Sequence, residues 1–193
     1  MTLQEFQCIM PIINIPSVLE HGIVSHDLAA RLNHKSVALE AVQRKRVHKQ
    51  IPGGGKLHSY ANLYFHARNP MMSSRRDQAD SLCILRVNTQ VLQIPGAVIT
   101  DQNAASDYVK FMPPSDLSRL NLEYIFAADW KHPNHQVEEW RHSSAKCAEV
   151  LVPERVPSGY LLGAYVVDEA AEVSLKNTGF NLPITVDSTL FFR

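Results

Sequence analysis

Residues 51–72 constrain the fold most, because three consecutive glycines there lead directly into a run of aromatic residues. Glycine adopts positive φ angles at little cost and lets the backbone approach a ligand closely. The aromatic run is typical of a strand, and the dipeptide Asn69-Pro70 ends it, because proline restricts the residue before it. We therefore predict that residues 51–72 form one wall of a binding site.

Length and composition indicate an ordinary globular protein. The 193 residues suffice for one well-buried core, and no long Gly/Ser or Pro tract divides them, so a single domain is expected over residues 1–193. The formal net charge is zero, so contact with a polyanion would require a local basic patch. The first residues lack the pattern of a secretory signal, and no apolar run reaches membrane-spanning length. These features predict a cytoplasmic location without membrane association.

The cysteines and histidines give no sign of a metal site. Cys8, Cys83 and Cys147 are widely spaced and lie beside apolar residues, which predicts reduced and mostly buried thiols. None of the nine histidines belongs to an HExxH motif or to a paired Cys/His pattern. We therefore predict no metal.

The order of apolar runs and turn signals predicts a mixed α+β fold. Residues 134–146 carry mixed charge and are expected to form an exposed helix or a loop. Proline near the start and Gly22 at the end frame the first helix. The expected strands are 6–13, 62–66, 82–87, 97–100, 148–152, 159–167 and 184–186, and the expected helices are 14–22, 36–48 and 169–176.

A local basic patch precedes the glycines. It comprises Arg31, Lys35, Arg44, Lys45, Arg46, Lys49 and Lys56, with Glu40 as the one acid. Its middle part is predicted to be helical, with Leu39 and Val42 on the inner face and the basic residues outside. The patch is either a solvated helix face or a set of phosphate contacts, with Arg44 and Arg46 able to clamp a diphosphate. A P-loop is excluded, because the GxxxxGK[ST] spacing is absent.

Glu149 and the aromatic residues offer further candidates. Glu149 opens an apolar strand, so its carboxylate either faces solvent at a strand end or lies at a cleft, where it could stabilise cationic charge. Tyr60, Tyr64 and Phe65 could stack on a nicotinamide or a nucleobase, or pack in the core. The loop of residues 100–105 either caps a helix or binds a ligand.

Residues 52–60 and 63–71 resemble the signature PGGTLHDYVPFYF.PRSPM of the DarT DNA ADP-ribosyltransferase toxins. Further similarities follow in the same order along the chain: the helix start at residues 14–19, an IQERR-like helix at 42–46, a TDGNAA-like loop at 100–105 and a QAEFLV-like strand at 146–152. The resemblance covers nearly the whole chain. It implies an ADP-ribosyltransferase-like split β-sheet with peripheral helices.

The resemblance also implies an activity and the residues that perform it. A DarT-type enzyme uses NAD as co-substrate, modifies a base of single-stranded DNA, releases nicotinamide and is neutralised by a macrodomain antitoxin. By this resemblance Glu149 and Arg46 are catalytic. The implied NAD contacts are Cys8, Met10, Ser17, Arg46 and Tyr60, and the implied DNA contacts are Arg44, Lys45, Lys49, His58, Arg68 and Asn103.

One departure from the family lies in the first strand. Residues 7–11 stand where the family usually has YHITH, so Cys8 replaces the first histidine and Pro11 the second. A thiol is a weaker hydrogen-bond donor than an imidazole. Two alternatives therefore stay open: a catalytically inactive nucleic-acid-binding member of the same fold, and an NAD-using transferase with an RNA or protein acceptor.

Overall fold

The computed structural model describes residues 3–193, in which strands and helices alternate along the chain. The strands are β1 (Glu5–Pro11), β2 (Ile23–Val24), β3 (Tyr60–Tyr64), β4 (Leu82–Asn88), β5 (Val98–Thr100), β6 (Phe111–Met112), β7 (Glu149–Pro153), β8 (Arg155–Val156), β9 (Leu161–Val166) and β10 (Ile184–Val186). The α-helices are α1 (Ile15–His21), α2 (His26–Ala29), α3 (Glu40–Arg46), α4 (Pro70–Ser73), α5 (Leu122–Phe126), α6 (Gln136–Ala145) and α7 (Glu169–Lys176).

Eight strands form one sheet that is nearly divided in two. Their order is β10-β9-β4-β1-β3-β7-β5-β6, while β2 and β8 pair separately. Strands β1 and β4 pair along their whole length, as do β3 and β7, but β1 and β3 meet only where Gln7 lies opposite Tyr64. We call β10-β9-β4-β1 the first half-sheet and β3-β7-β5-β6 the second half-sheet. The predicted split β-sheet is confirmed.

Proline limits how far a ladder between β1 and β3 could extend. If the register of Gln7 and Tyr64 continued, Pro11 would lie opposite Tyr60, and proline has no N–H to donate to a ladder. A side chain holds the two halves together near their junction, because the buried amide of Gln7 accepts a hydrogen bond from the N–H of Ala67 at 2.7 Å. The two half-sheets therefore diverge from a fixed point and leave a cleft.

Two groups of buried apolar residues stabilise this arrangement. The larger one spans both half-sheets, and in it the rings of Phe6 and Phe65 meet edge to face at 5.2 Å between centroids. The smaller one consists of Ile51, Leu57, Tyr60, Ala104 and Leu151. It packs the glycine-rich segment against the second half-sheet.

Helix α1 begins and ends as its sequence predicts. Proline occupies its first turn, and Gly22 follows its last residue with φ of 82°, donating its N–H to the carbonyl of Val18 at 2.8 Å. A Cβ at Gly22 would lie 2.2 Å from the carbonyl oxygen of Val156. Glycine is thus required both by the backbone conformation and by the close approach of β8.

Several predicted boundaries were wrong by a few residues. The first strand ends at Pro11, where a 3₁₀ turn over Ile12–Asn14 leads into α1. The strand expected at 62–66 spans Tyr60–Tyr64, and the helix expected at 36–48 covers only Glu40–Arg46. Residues 134–146, predicted as a helix or a loop, contain helix α6. Within residues 3–193, no helix has the length and apolar character needed to cross a membrane.

Candidate active site

A cavity of about 360 Å³ opens where the half-sheets diverge. Its volume is within the range of small-molecule sites, about 300–1,000 Å³. Its lining comes mainly from β1, α1, the segment between α2 and α3, α3, β3 and the loop after β5. The lining includes Cys8, Met10, Asn14, Ser17, Gln43, Arg46, Asn62, Tyr64, Pro70, Met71 and Asn103.

Glu149 and Arg46 form a buried ion pair beside this cavity. Glu149 begins β7 directly opposite Tyr64 of β3, and its side chain is 0% exposed. Nη1 of Arg46 lies 2.9 Å from Oε1 and 3.1 Å from Oε2 of Glu149, and Nη2 lies 3.0 Å from Oε2. The alternative of a solvent-facing glutamate is therefore wrong, and the carboxylate is paired with a guanidinium in a bidentate geometry.

Two neighbouring segments fix the orientation of Glu149. The N–H of Ala104 donates to its Oε1 at 3.2 Å, and the Glu149 N–H donates to the hydroxyl of Thr100 at 2.9 Å. Its carboxylate therefore accepts hydrogen bonds from the loop after β5 as well as from α3. A carboxylate held in this way is preorganised to stabilise positive charge that develops nearby.

Burial and the charge of Glu149 shift the pKa values of Arg46 and Tyr64. Burial lowers the pKa of Arg46, but the charge of Glu149 and the hydrogen bonds to it outweigh burial, so that the pKa is raised overall. Burial, followed by the charge of Glu149, raises the pKa of Tyr64 well above its ordinary value. The guanidinium therefore stays charged and the phenol stays neutral at physiological pH.

Helix α3 departs from its prediction at Arg46. We expected all of its basic residues outside, yet Arg46 is buried and Leu39 is partly exposed. The reason is the helical period: Arg46 follows Val42 by four positions, so it shares the predicted inner face. Glu149 then supplies the charge that makes burial of the guanidinium tolerable.

Of the other basic residues in the patch, Lys35 lines the cavity, whereas Arg44, Lys45 and Lys49 lie at the surface or hold a loop. Arg44 is exposed and pairs with Glu40 at 2.7 Å, and Lys45 is exposed. Nζ of Lys49 donates to the carbonyl of Ser106 at 2.8 Å and lies 3.2 Å from Oδ1 of Asp107. Lys49 therefore anchors the loop after β5, which also contacts Glu149.

The residues of the β1 side that were predicted to contact NAD line the cavity. Cys8 is buried, its thiol lies 3.9 Å from the Ile9 carbonyl oxygen, and burial raises its pKa to about 12. The side-chain nitrogen Nδ2 of Asn14 donates a hydrogen bond to Sδ of Met10 at 3.7 Å. Ser17 of α1 also lines the cavity. Cys8 is thus a neutral thiol that offers little to a ribose. The three cysteines are free and buried, as predicted.

Tyr60 and His58 do not line the cavity. The hydroxyl of Tyr60 accepts a hydrogen bond from the Gly55 N–H at 3.3 Å, and its ring belongs to the smaller core. His58 stacks on His26 at 4.1 Å, and its Nε2 is buried without a hydrogen-bond partner among residues 3–193. Burial, followed by the charge of His26, lowers the pKa of His58, so its imidazole is neutral at pH 7.

Arg68 and Asn103 have different surroundings. Nε of Arg68 donates to the carbonyl of Ala128 at 2.8 Å, its Nη1 donates to Thr189, and its guanidinium lies 4.2 Å from the ring centre of Phe192. Arg68 thus joins the chain after β3 to the C-terminal residues, away from the cavity. Asn103 lines the cavity, and its side-chain oxygen accepts the Ala105 N–H at 2.8 Å.

The glycine-rich segment and the wall of the cavity are different parts of residues 51–72. A Cβ at Gly54 would lie 2.6 Å from the Tyr60 hydroxyl, and one at Gly55 would lie 2.9 Å from Oγ of Ser59. These glycines therefore allow close packing of their own chain. The cavity wall comes from the later residues Asn62, Tyr64, Pro70 and Met71.

Sequence reasoning missed Gln43 and Asn62, which also line the cavity. The available signal for Gln43 was its position one helical turn before Arg46. Among residues 3–193, no group of three or more His, Cys, Asp or Glu side chains is arranged to hold a metal ion. The polar side chains that line the cavity are those of Asn14, Ser17, His34, Lys35, Ser36, Gln43, Arg46, Asn62, Tyr64 and Asn103.

Comparison with known proteins gives a consistent picture. The family described as "DarT: ssDNA thymidine ADP-ribosyltransferase, DarT" matches residues 8–192. A DNA ADP-ribosyl transferase-DNA ADP-ribosyl glycohydrolase fusion protein of Thermosipho africanus (strain H17ap60334) is 32% identical over 200 residues, covering 98% of this chain and 50% of the relative. The chain thus spans about half the length of that fusion protein.

Solved structures agree with these sequence comparisons. Thermosipho africanus DarTG in complex with ADP-ribose has a TM-score of 0.82 and 31% identity, over 98% of this chain and 51% of its own. Thermus sp. 2.9 DarT, at 22% identity, has the same fold. Its complex with ADP-ribosylated ssDNA has a TM-score of 0.83, over 98% of this chain and 96% of its own. Its complex with NAD+ has a TM-score of 0.78, over 99% of this chain and 98% of its own. The chain belongs to the DarT family of ssDNA thymidine ADP-ribosyltransferases.

Proposed function

We propose that this chain transfers ADP-ribose from NAD to thymidine in single-stranded DNA and releases nicotinamide. The family description names the acceptor. The Thermosipho relative was solved with ADP-ribose, and Thermus sp. 2.9 DarT with NAD+ and with ADP-ribosylated ssDNA. In this chain, the observation that carries the proposal is the buried Arg46–Glu149 pair beside a cavity at the division of the sheet.

The cavity suits NAD as a co-substrate. Its lining is largely apolar with a few polar groups, which is typical of sites that bind small molecules. Met10 and Ser17 would contact NAD from the β1 side, together with the neutral thiol of Cys8. NAD supplies a ribose joined to a cationic nicotinamide, which is a good leaving group.

Glu149 stabilises the positive charge that develops on the ribose during the reaction. When the bond between nicotinamide and ribose breaks, the bonding electrons leave with nicotinamide and positive charge develops on the ribose. The buried carboxylate of Glu149 stabilises that charge, because a site that excludes water strengthens electrostatic interactions. A nitrogen of the base then bonds to the ribose carbon and loses its proton, which Glu149 helps to remove.

Arg46 contributes by positioning. We expected its guanidinium to clamp the NAD diphosphate, but in this structure Nη1 and Nη2 both bind Glu149. Arg46 therefore orients the carboxylate while the cavity receives both substrates. On the outer face of the same helix, exposed Arg44 and Lys45 would attract the DNA backbone.

The proposal is tested by incubating the protein with NAD and a thymidine-containing oligonucleotide. We expect a product heavier by one ADP-ribose, together with free nicotinamide. An otherwise identical oligonucleotide without thymidine should stay unmodified, and Glu149→Gln should modify the thymidine oligonucleotide far more slowly than the wild type. RNA and protein acceptors in parallel reactions address the transferase alternative. Modification of RNA or protein instead of DNA would refute the proposed acceptor.

Cys8 motivates a second candidate function, a catalytically inactive member that binds nucleic acid. A neutral, buried thiol replaces the imidazole that the family usually has at this position. This candidate predicts DNA binding that weakens with salt and no consumption of NAD. Calorimetric titration with NAD separates the two, since tight NAD binding is expected only for the transferase.

We propose a toxin–antitoxin role for the same activity. The Thermosipho relative is described as a fusion of a DNA ADP-ribosyl transferase with a DNA ADP-ribosyl glycohydrolase. A macrodomain glycohydrolase that removes the modification is accordingly the proposed antitoxin, and the cytoplasm, where genomic DNA is replicated, is the proposed location. Expression in a bacterium should arrest growth, and co-expression of such a glycohydrolase should restore it.

A further inference from the structure

Gln43 contributes a buried polar atom to the cavity that the proposed reaction does not yet use. Gln43 lies on α3 three residues before Arg46, and its side chain lines the cavity at the division of the sheet. Its side-chain oxygen Oε1 is buried and has no hydrogen-bond partner among residues 3–193. A polar group of the candidate active site is therefore left without a protein partner.

An unpaired buried carbonyl is uncommon and unfavourable. Nearly all buried polar side-chain atoms in folded proteins have a partner, because their hydration is lost on burial. Rotation about the terminal bond of glutamine is easy, so the amide can turn toward the cavity. A half turn also exchanges its oxygen and nitrogen, and in either orientation one polar atom needs a partner. A ligand in the cavity that supplies this partner removes the cost of the unpaired atom.

The surroundings of Gln43 indicate a ligand and not a structural role. Its backbone is already satisfied within the helix, since its N–H donates to Leu39 at 3.0 Å and its carbonyl accepts from Val47 at 3.1 Å. Of the charged side chains that follow, Arg44 pairs with Glu40 and Arg46 with Glu149, while Lys45 is exposed and outside the cavity lining. The amide of Gln43 is thus the polar group of this helix that is available to the cavity.

The position of Gln43 identifies the part of the substrates that it can reach. Side chains three residues apart on a helix are neighbours, with Cβ atoms about 5–6 Å apart. Gln43 and Arg46 therefore share one face of α3 and line the same cavity, where the transfer is proposed to occur. Both groups that meet at the reacting ribose carry an amide-type edge, a carbonyl beside an N–H: the carboxamide of nicotinamide and the imide of thymine.

We infer that Gln43 is a specificity residue, whose side-chain amide binds the amide-type edge of a substrate by paired hydrogen bonds. An amide presents one donor and one acceptor side by side and so matches such an edge. The inference rests on the proposed function for the identity of the two substrates. It assigns to Gln43 the discrimination of nicotinamide or thymine from groups that lack this edge.

Binding measurements with Gln43→Met test the inference. Methionine keeps the length of the side chain and its helix propensity but removes both polar atoms. Gln43→Ala serves as a second variant, and Gln90→Met is the matched control, because Gln90 is exposed and outside the cavity. Titration calorimetry compares NAD with ADP-ribose, and a thymine oligonucleotide with its N3-methylthymine counterpart. Thermal unfolding verifies that each variant is folded.

Each result decides the inference. If nicotinamide is the ligand, Gln43→Met weakens NAD binding by about five- to tenfold and leaves ADP-ribose binding unchanged. If thymine is the ligand, binding of the thymine oligonucleotide weakens by a similar factor and that of the methylated one does not. Equal losses for NAD and ADP-ribose and for both oligonucleotides, no loss at all, or a wild-type protein that binds none of these ligands would overturn it.

The same measurements separate this inference from the proposed activity. A wild-type protein that binds NAD and thymine through Gln43 but forms no product would refute the proposed transfer and leave the inference standing. A wild-type protein that modifies thymidine, with variants of unchanged selectivity, would refute the inference alone.

Discussion

Two arginine–glutamate pairs lie on the two halves of the sheet, and they differ in exposure. Beside the second half-sheet, the side chains of Arg46 and Glu149 are 8% and 0% exposed and share three hydrogen-bond contacts. On the first half-sheet, Nε of Arg86 donates to Oε2 of Glu5 at 2.7 Å, and these side chains are 28% and 13% exposed. The same two residue types thus form one buried pair and one that water reaches.

The difference shows what each pair contributes. Removing two charges from water costs about as much free energy as their attraction in the protein interior returns. A buried ion pair therefore adds little stability over an apolar pair of similar volume. A pair in contact with water costs little and contributes little. Stability therefore does not explain the Arg46–Glu149 pair. Arg46 lines the cavity and Glu149 is hydrogen-bonded to it, which is consistent with the proposed role in the reaction.

Breaking the buried pair should have the largest effect on stability. Arg46→Met leaves the Glu149 carboxylate buried without its cation, and we expect the free energy of unfolding to fall by about 3–5 kcal/mol. The double variant Arg46→Met/Glu149→Leu removes both charges and should recover most of this loss. Urea denaturation of the two single variants and the double variant measures the coupling. A double variant that loses the sum of the single effects would contradict the account.

Removing the charge of Glu149 should have the largest effect on activity. Glu149→Gln keeps the shape of the side chain, but it no longer stabilises positive charge on the ribose. We expect the rate of ADP-ribosylated oligonucleotide formation to fall by about 100- to 1,000-fold. Glu5→Gln is the matched control on the first half-sheet and should retain its activity. An undiminished rate in Glu149→Gln would refute the proposed role of the carboxylate.

Lys146, which follows the last residue of α6, is a buried cation whose hydrogen bonds go to backbone carbonyls. Lys146 donates to the carbonyls of Ile125 at 2.9 Å and Ala127 at 2.6 Å, and its Nζ lies 3.2 Å from Nδ1 of His66. Burial, followed by the charge of Lys146, lowers the pKa of His66 to about 4. A neutral His66 is thus part of the environment that accommodates the ammonium.

The pKa of His66 predicts a loss of stability in acid. An unfolded histidine binds a proton from about pH 6.5 downward, but folded His66 does so only near pH 4. Between these values the unfolded state binds more protons, so stability rises with pH and is lost as the pH falls from 6.5 toward 4. The contribution is about 1–3 kcal/mol. Urea denaturation at several pH values measures it, and His66→Gln should show a smaller slope than the wild type. Equal slopes would refute the assignment.

Local sequence signals predicted much of the fold. Proline and Gly22 predicted the limits of α1, and the apolar runs predicted the strands of both half-sheets to within a few residues, with the exception of β6, which was not predicted. The division of the sheet came from the family resemblance, because no local pattern reports that β1 and β3 meet at one residue pair. Strand pairing depends on residues far apart in the chain, and no pattern in a single sequence shows where two paired strands separate. The organisation of residues 1–193 as one domain stays a prediction.

The sequence predicted several residues of the candidate site, but not the contacts that these residues make. Glu149 and Arg46 are 103 positions apart in the chain, so no local pattern indicates their contact. The burial of Arg46 could have been predicted, because the helical period places it on the inner face of α3. The glycines suggest a ligand-approach loop, but the missing Cβ atoms of Gly54 and Gly55 make room for Tyr60 and Ser59 of their own chain. Glycine permits close approach to a ligand and to the protein's own side chains alike, so its presence does not distinguish them.

Replacing the exposed pair should have the smallest effect. Arg86→Met removes a cation whose partner Glu5 can still be hydrated, so we expect the free energy of unfolding to change by less than about 1 kcal/mol. Part of that change reflects packing, because the guanidinium of Arg86 also lies 5.1 Å from the ring centre of Tyr165. Arg86→Met and Arg46→Met make the same chemical change at two depths, so urea denaturation of both isolates burial. If Arg86→Met lost as much stability as Arg46→Met, exposure would not be what distinguishes the two pairs. The stability cost of Arg46→Met could then no longer be attributed to a charge left buried.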